Sequence, residues 1–192
     1  MTVITLNLQP AIELTDEQFK AICSSNRDLK LERTATGELI IMPPTGGETG
    51  KHNSNINAQL WLWNQQTKLG EVFDSSTGFI LPNGATRSPD SAWIKKERWN
   101  SLTEQQKKQF IPLCPDFLIE LRSNSDSLSD LQKKMQEYLV NGLALGWLID
   151  PQNKQVEVYK QNYQIETISN PVSLSGEDVL SGFTLNVRDI LN

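Results

Sequence analysis

Asp90 follows Pro89 at the start of an apolar run, and about 30 residues later Glu120 and Arg122 stand two apart in Phe117-Leu118-Ile119-Glu120-Leu121-Arg122. That second segment reads as a strand. Alternation puts Phe117, Ile119 and Leu121 on one face and Leu118, Glu120 and Arg122 on the other, so the acid and the base are neighbours. An acid after proline at a strand start, followed by an acid-x-base pair, is the spacing of a metal-dependent phosphodiesterase site. Hard cations such as Mg²⁺ take carboxylate oxygens and keep several waters, and a positive side chain nearby balances the charge of an attacked phosphate. Spacing alone also fits an ordinary ion pair on an exposed strand face.

The elements that must position these residues are legible along the chain. Thr15-Asp16-Glu17-Gln18 has capping-box spacing and predicts a helix over 16–25. Lys30 to Arg33 and Glu38 to Met42 flank Ala35-Thr36-Gly37 and predict a hairpin ended by Pro43-Pro44. Apolar residues at helical spacing from Glu48 to Lys68 predict the longest early helix, closed by Gly70. Strand is expected at 72–73, 78–81 and 89–94, a polar helix at 101–109, strand at 117–121, and a helix at 128–140 stopped by Gly142. Buried strand follows at 146–149, with further strands at 156–159 and 163–168 and an apolar tail through Phe183, Leu185 and Val187. Strands dominate the ends while a strand-helix-strand unit occupies 117–149, so the class is α/β or α+β with a mixed sheet, in one domain over 1–192.

Composition sets the outer bounds. With 38% hydrophobic and 21% charged residues the chain resembles neither a disordered nor a fibrous protein. No run approaches the roughly 18 uninterrupted apolar residues of a membrane span. Two cysteines without CxxC spacing and an opening without a secretory pattern point to a cytoplasmic protein with reduced thiols. A net charge of −5 argues against broad coating of nucleic acid, but not against a nuclease, whose metal-holding carboxylates add negative charge away from the phosphate track.

Taken together, Ser88-Pro89-Asp90, the run Pro115 to Ser123, Lys134-Met135-Gln136-Glu137-Tyr138, Asn141-Gly142 and Gly146 to Pro151 resemble the bacterial putative restriction endonucleases of unknown biological role. That family lies within the PD-(D/E)xK nuclease-like superfamily, and the likeness runs from about residue 30 to near the C-terminus. It implies a restriction-endonuclease-like mixed sheet flanked by helices, with Mg²⁺-dependent hydrolysis of DNA phosphodiesters, Mn²⁺ substituting. It also implies a homodimer, since both strands of a duplex must be cut.

By the resemblance, Asp90 matches the first acid and Glu120 the second, whereas Arg122 stands where the family pattern has lysine. Arginine stays protonated, so Arg122 can stabilise phosphate charge but cannot take a proton from water. Lys134, on the following helix between Leu131 and Tyr138, is then the migrated lysine that orients or deprotonates the water; taken alone it would pair with Asp130 at i,i+4. Glu48, opening the long helix, is a third metal-ligand candidate beside Asp90 and Glu120, or else a first-turn acid complementing the helix dipole. His52, the one histidine, falls a turn later and reads more readily as structural. The competing reading of the whole is a catalytically decayed nuclease scaffold serving as a nucleic-acid or protein interaction module, suggested by Arg122 and the charge of −5.

Overall fold

The computed structural model describes residues 3–191. In chain order its elements are β1 (Ile4–Leu6), α1 (Asp16–Ser25), β2 (Lys30–Arg33), β3 (Leu39–Met42), α2 (Gly47–Thr67), β4 (Gly70–Asp74), β5 (Phe79–Ile80), β6 (Thr86–Arg87), β7 (Ser91–Lys95), α3 (Lys96–Asn100), α4 (Glu104–Lys107), β8 (Phe117–Leu121), α5 (Leu128–Val140), β9 (Leu145–Asp150), β10 (Gln155–Lys160), β11 (Glu166–Ser169), β12 (Ser173–Ser175), β13 (Thr184–Asn186) and α6 (Arg188–Leu191).

Local chemistry explains the boundaries that position the site. The box at α1 is present as its spacing predicts: Gln18 N–H donates to the Thr15 hydroxyl, and Thr15 N–H donates to the Gln18 side chain. Ser127 caps α5 by accepting from Asp130 N–H. The helix expected over 101–109 forms only as α4. Thr103 caps it through a second box with Gln106, and the extended backbone an N-cap requires (φ −68, ψ 157) cannot lie inside a helix.

Six strands form the main sheet in the order β11-β10-β9-β8-β7-β4. Only β8 and β9 run parallel, joined through α5; the other neighbours are antiparallel. Alternation along β8 divides the core. Phe117, Ile119 and Leu121 pack with Ile56, Leu60 and Trp63 of α2 and with Phe183 and Leu185 of the C-terminal segment. Leu118 packs on the opposite face with Met135 and Tyr138 of α5. The second sheet, ordered β1-β3-β2-β6-β5, holds the β2–β3 hairpin. Between β6 and β7 the chain passes from one sheet to the other in the three residues Ser88-Pro89-Asp90, so Asp90 lies where both meet.

Gly70 opens the edge strand β4 that backs β7. A Cβ there would stand 2.1 Å from the Ile94 carbonyl oxygen and 2.5 Å from the Trp93 ring, contacts that require backbone to move. Gly70→Ala is therefore expected to destabilise the protein by on the order of 1–3 kcal/mol, read by denaturant unfolding; unchanged stability would mean that β4 does not sit this close to β7.

Candidate functional site

The pairing of Ser91 with Ile119, continued by one residue, sets Asp90 opposite Glu120 at the end of β7 and β8. Asp90 is anchored from two directions. Its Oδ2 accepts the Leu121 N–H at 2.9 Å, and its Oδ1 accepts from Nδ2 of Asn53 on α2 at 3.2 Å. One turn further along α2, Asn57 donates to the Asp90 carbonyl at 3.2 Å while accepting from the Ser91 hydroxyl at 3.0 Å. Two asparagines of one helix stripe thus fix an acid on the neighbouring strand.

Glu120 points from β8 toward α5. Its Oε1 lies 2.8 Å from the Lys134 ammonium and accepts from the Tyr138 hydroxyl at 3.0 Å; among the described residues no hydrogen bond is made to Oε2. Lys134 also donates to Glu32 Oε1 at 2.9 Å. Glu32, from β2, accepts in addition the Ser88 N–H at 2.9 Å and Arg87 Nη1 at 3.1 Å. Arg87 is held on its other side by Glu137 of α5, at 2.6 Å. The side chains of Lys134, Glu120 and Glu32 retain 13%, 5% and 3% of their exposure, so this ladder of charge is almost wholly dry.

Dryness and proximity set the protonation states. Burial alone would raise Glu32, but the charges of Lys134 and Arg87 and the Ser88 N–H outweigh it and hold the carboxyl down to about 2. Glu120 goes the other way. Burial, then the Asp90 and Glu32 carboxylates, push it up to about 7 against the pull of Lys134. Burial works against the Lys134 ammonium, yet Glu120 and Glu32 together hold it well above its ordinary range, so it stays protonated through neutral pH. The Tyr138 hydroxyl is likewise raised, by burial and then by Glu120, and keeps its proton.

The chain matches the family described as "Uma2: Putative restriction endonuclease" over residues 16–188. It belongs to the Uma2 family. The crystal structure of a putative nuclease belonging to DUF820 from Anabaena variabilis ATCC 29413 superposes with a TM-score of 0.71 at 19% identity, covering 84% of this chain and 89% of that one. That likeness establishes the fold, the restriction-endonuclease-like mixed sheet flanked by helices. No curated protein matches. Family and fold place this Uma2 chain among the nuclease-like proteins.

Of the residues singled out in the sequence, the structure brings Asp90, Glu120 and Lys134 together. Lys134 turns away from Asp130, which pairs instead with Lys133 at 2.8 Å. Two expectations need correction. Arg122 shares the Glu120 face, but its guanidinium is committed elsewhere: Nη1 donates to the buried Asp150 carboxylate at 3.0 Å and Nε to the Asp126 carbonyl at 3.3 Å. It fastens the loop between β8 and α5 onto β9. Glu48 is exposed, and among the described residues no three Asp, Glu, His or Cys side chains gather into a metal-holding group. The residue α2 turns to Asp90 is Asn53, about 140° around the helix from Glu48 at 3.6 residues per turn. His52 is half-buried in α2, and among the described residues its imidazole makes no hydrogen bond. Sequence reasoning missed Glu32, Arg87, Asn53 and Asn57. No local signal marks Glu32 or Arg87: each is a charged residue in a short strand, and only the structure shows that it is buried and must be paired.

Because Glu32 is held down to about 2 in the fold and titrates near 4.5 when unfolded, its stabilisation is complete above pH 4.5 and is lost as pH falls toward 2. Glu32→Gln is expected to cost about 3 kcal/mol in denaturant unfolding at pH 7, with the gap to the parent narrowing at pH 3. A gap independent of pH would show that the Glu32 charge does not support the fold.

Proposed function

We propose that this protein is a metal-dependent endonuclease that hydrolyses DNA phosphodiester bonds at the site formed by Asp90, Glu120 and Lys134. The observation that carries the reading is the placement of Asp90 opposite Glu120 with the Lys134 ammonium 2.8 Å from Glu120 Oε1. The donor set fits a hard cation: Mg²⁺ is ordinarily bound through one or two carboxylates, with waters and substrate phosphate completing the shell. The charge count agrees, since among the described residues the four carboxylates Asp90, Glu120, Glu32 and Glu137 face two cations, Lys134 and Arg87. When bound by Asp90 and Glu120, Mg²⁺ or Mn²⁺ would supply a water nucleophile at neutral pH and neutralise charge on the phosphate.

The chain's own residues divide the remaining tasks. Asp90, pinned by Leu121 N–H and Asn53, and Glu120, pinned by Tyr138, present carboxylate oxygens in fixed positions. Lys134 stays protonated, so its part is to donate: it orients a water and stabilises charge developing on the phosphate, rather than taking a proton. Arg122 plays no part in this chemistry. The alternative of a decayed scaffold drew on Arg122 standing at the lysine position, and the approach of Lys134 to Glu120 supports an intact charge set instead.

Purified protein is expected to cut double-stranded DNA with Mg²⁺ or Mn²⁺ and to lose cleavage with chelator or with Asp90→Ala. Lys134→Ala should slow cleavage on the order of 10²–10³-fold. Arg122→Ala should lower stability by on the order of 1–3 kcal/mol, by stripping a partner from buried Asp150, yet cut at the parent rate well below its unfolding temperature. If Arg122→Ala is inactive while Lys134→Ala cuts normally, the assignment of the cationic group is reversed. If the parent cleaves no nucleic acid with either ion, the interaction-module reading replaces this one.

A further inference from the structure

Among the described residues, Oδ1 of Asn53 is the buried side-chain polar atom that has no hydrogen-bond partner. It belongs to the side chain whose Nδ2 holds Asp90 at 3.2 Å, on the α2 stripe that also carries Asn57. Folded chains ordinarily satisfy an oxygen that is sealed from water, and such an orphan beside a carboxylate site calls for a ligand of its own. A hydrogen-bond donor would have to approach to about 2.7–3.0 Å, and among the described residues none does. Mg²⁺ bonds oxygen at about 2.1 Å, and neutral amide oxygens belong to the hard donors that such ions accept.

We infer that Asn53 Oδ1 is a third protein oxygen of the cation site, a neutral ligand from α2 added to the carboxylates of Asp90 and Glu120. The inference rests on the metal-dependent reading above and assigns to α2 a direct contact with the ion, carried by Asn53 and not by Glu48. The competing role for Asn53 is purely that of a hydrogen-bond donor holding Asp90.

Mn²⁺ binding to the whole chain, without nucleic acid, separates the two roles; free Mn²⁺ is read by its electron paramagnetic resonance signal. The comparison uses the parent, Asn53→Ala and Asn53→Asp, each first shown to be folded by thermal unfolding without the ion. Loss of the ligand oxygen in Asn53→Ala is expected to weaken Mn²⁺ binding by on the order of 10–100-fold, the scale seen for residues that shape metal sites. Asn53→Asp keeps an oxygen at that position but no N–H, and is expected to bind at least as tightly as the parent. Parent-like affinity in Asn53→Ala overturns the inference, as does equal weakening in both variants, which marks Asn53 as a donor to Asp90 only. Either result leaves the cation site standing. A parent chain that binds no Mn²⁺ overturns the cation site and the Asn53 inference with it.

Discussion

The Lys134 ammonium is shared between two buried carboxylates that come from different sheets, Glu32 on β2 and Glu120 on β8, while the lysine itself rides on α5. Three elements far apart in sequence are therefore tied at one charged atom. Each ion here is costly to dehydrate, and removing one member of such a set strands its partners; breaking a buried pair costs about 3–5 kcal/mol even where the intact pair contributes little net stability. The ladder constrains register more than it adds stability. Glu32 can meet Lys134 only if the hairpin sheet sits against the end of the main sheet, and the chain makes that passage at Ser88-Pro89-Asp90.

The geometry of the candidate site follows from this constraint. Burial, and then the neighbouring carboxylates of Asp90 and Glu32, push Glu120 up to about 7, while Glu32, contacted by both Lys134 and Arg87, is held down to about 2 against its own burial. Two glutamates a few ångströms from the same ammonium thus differ in character: one is held as an anion and the other is pushed toward its neutral form. Asp90, held by a backbone N–H and by Asn53 at the end of the strands, completes the acidic face to which the proposed cation is assigned.

Much of this was readable in the sequence where the signals are local. The helix at 128–140 has the predicted bounds because its cap, apolar stripe and glycine stop all fall within one segment, and that stripe carries Lys134 to the sheet beside Tyr138. The alternation of Phe117 to Leu121 places Glu120 correctly for the same reason. Glu32 was not readable: its partner Lys134 lies 102 residues away, and nothing within the hairpin distinguishes a buried acid from one facing solvent. Arg122 misled because it shares a face with Glu120, yet Asp150, contributed by the parallel neighbour strand, captures the guanidinium; only the β8–β9 pairing reveals that competitor. Asn53 gave no signal in a helix rich in polar residues, where its neighbours Glu48 and His52 have the more suggestive chemistry.

Anomalous diffraction from crystals of the protein grown or soaked with Mn²⁺ tests the central claim most directly. The account predicts an Mn²⁺ peak bonded to carboxylate oxygens of both Asp90 and Glu120, with Lys134 still in contact with Glu32. A peak that touches neither acid, or crystals that take up no Mn²⁺ although no neighbouring molecule covers Asp90 and Glu120, would contradict it.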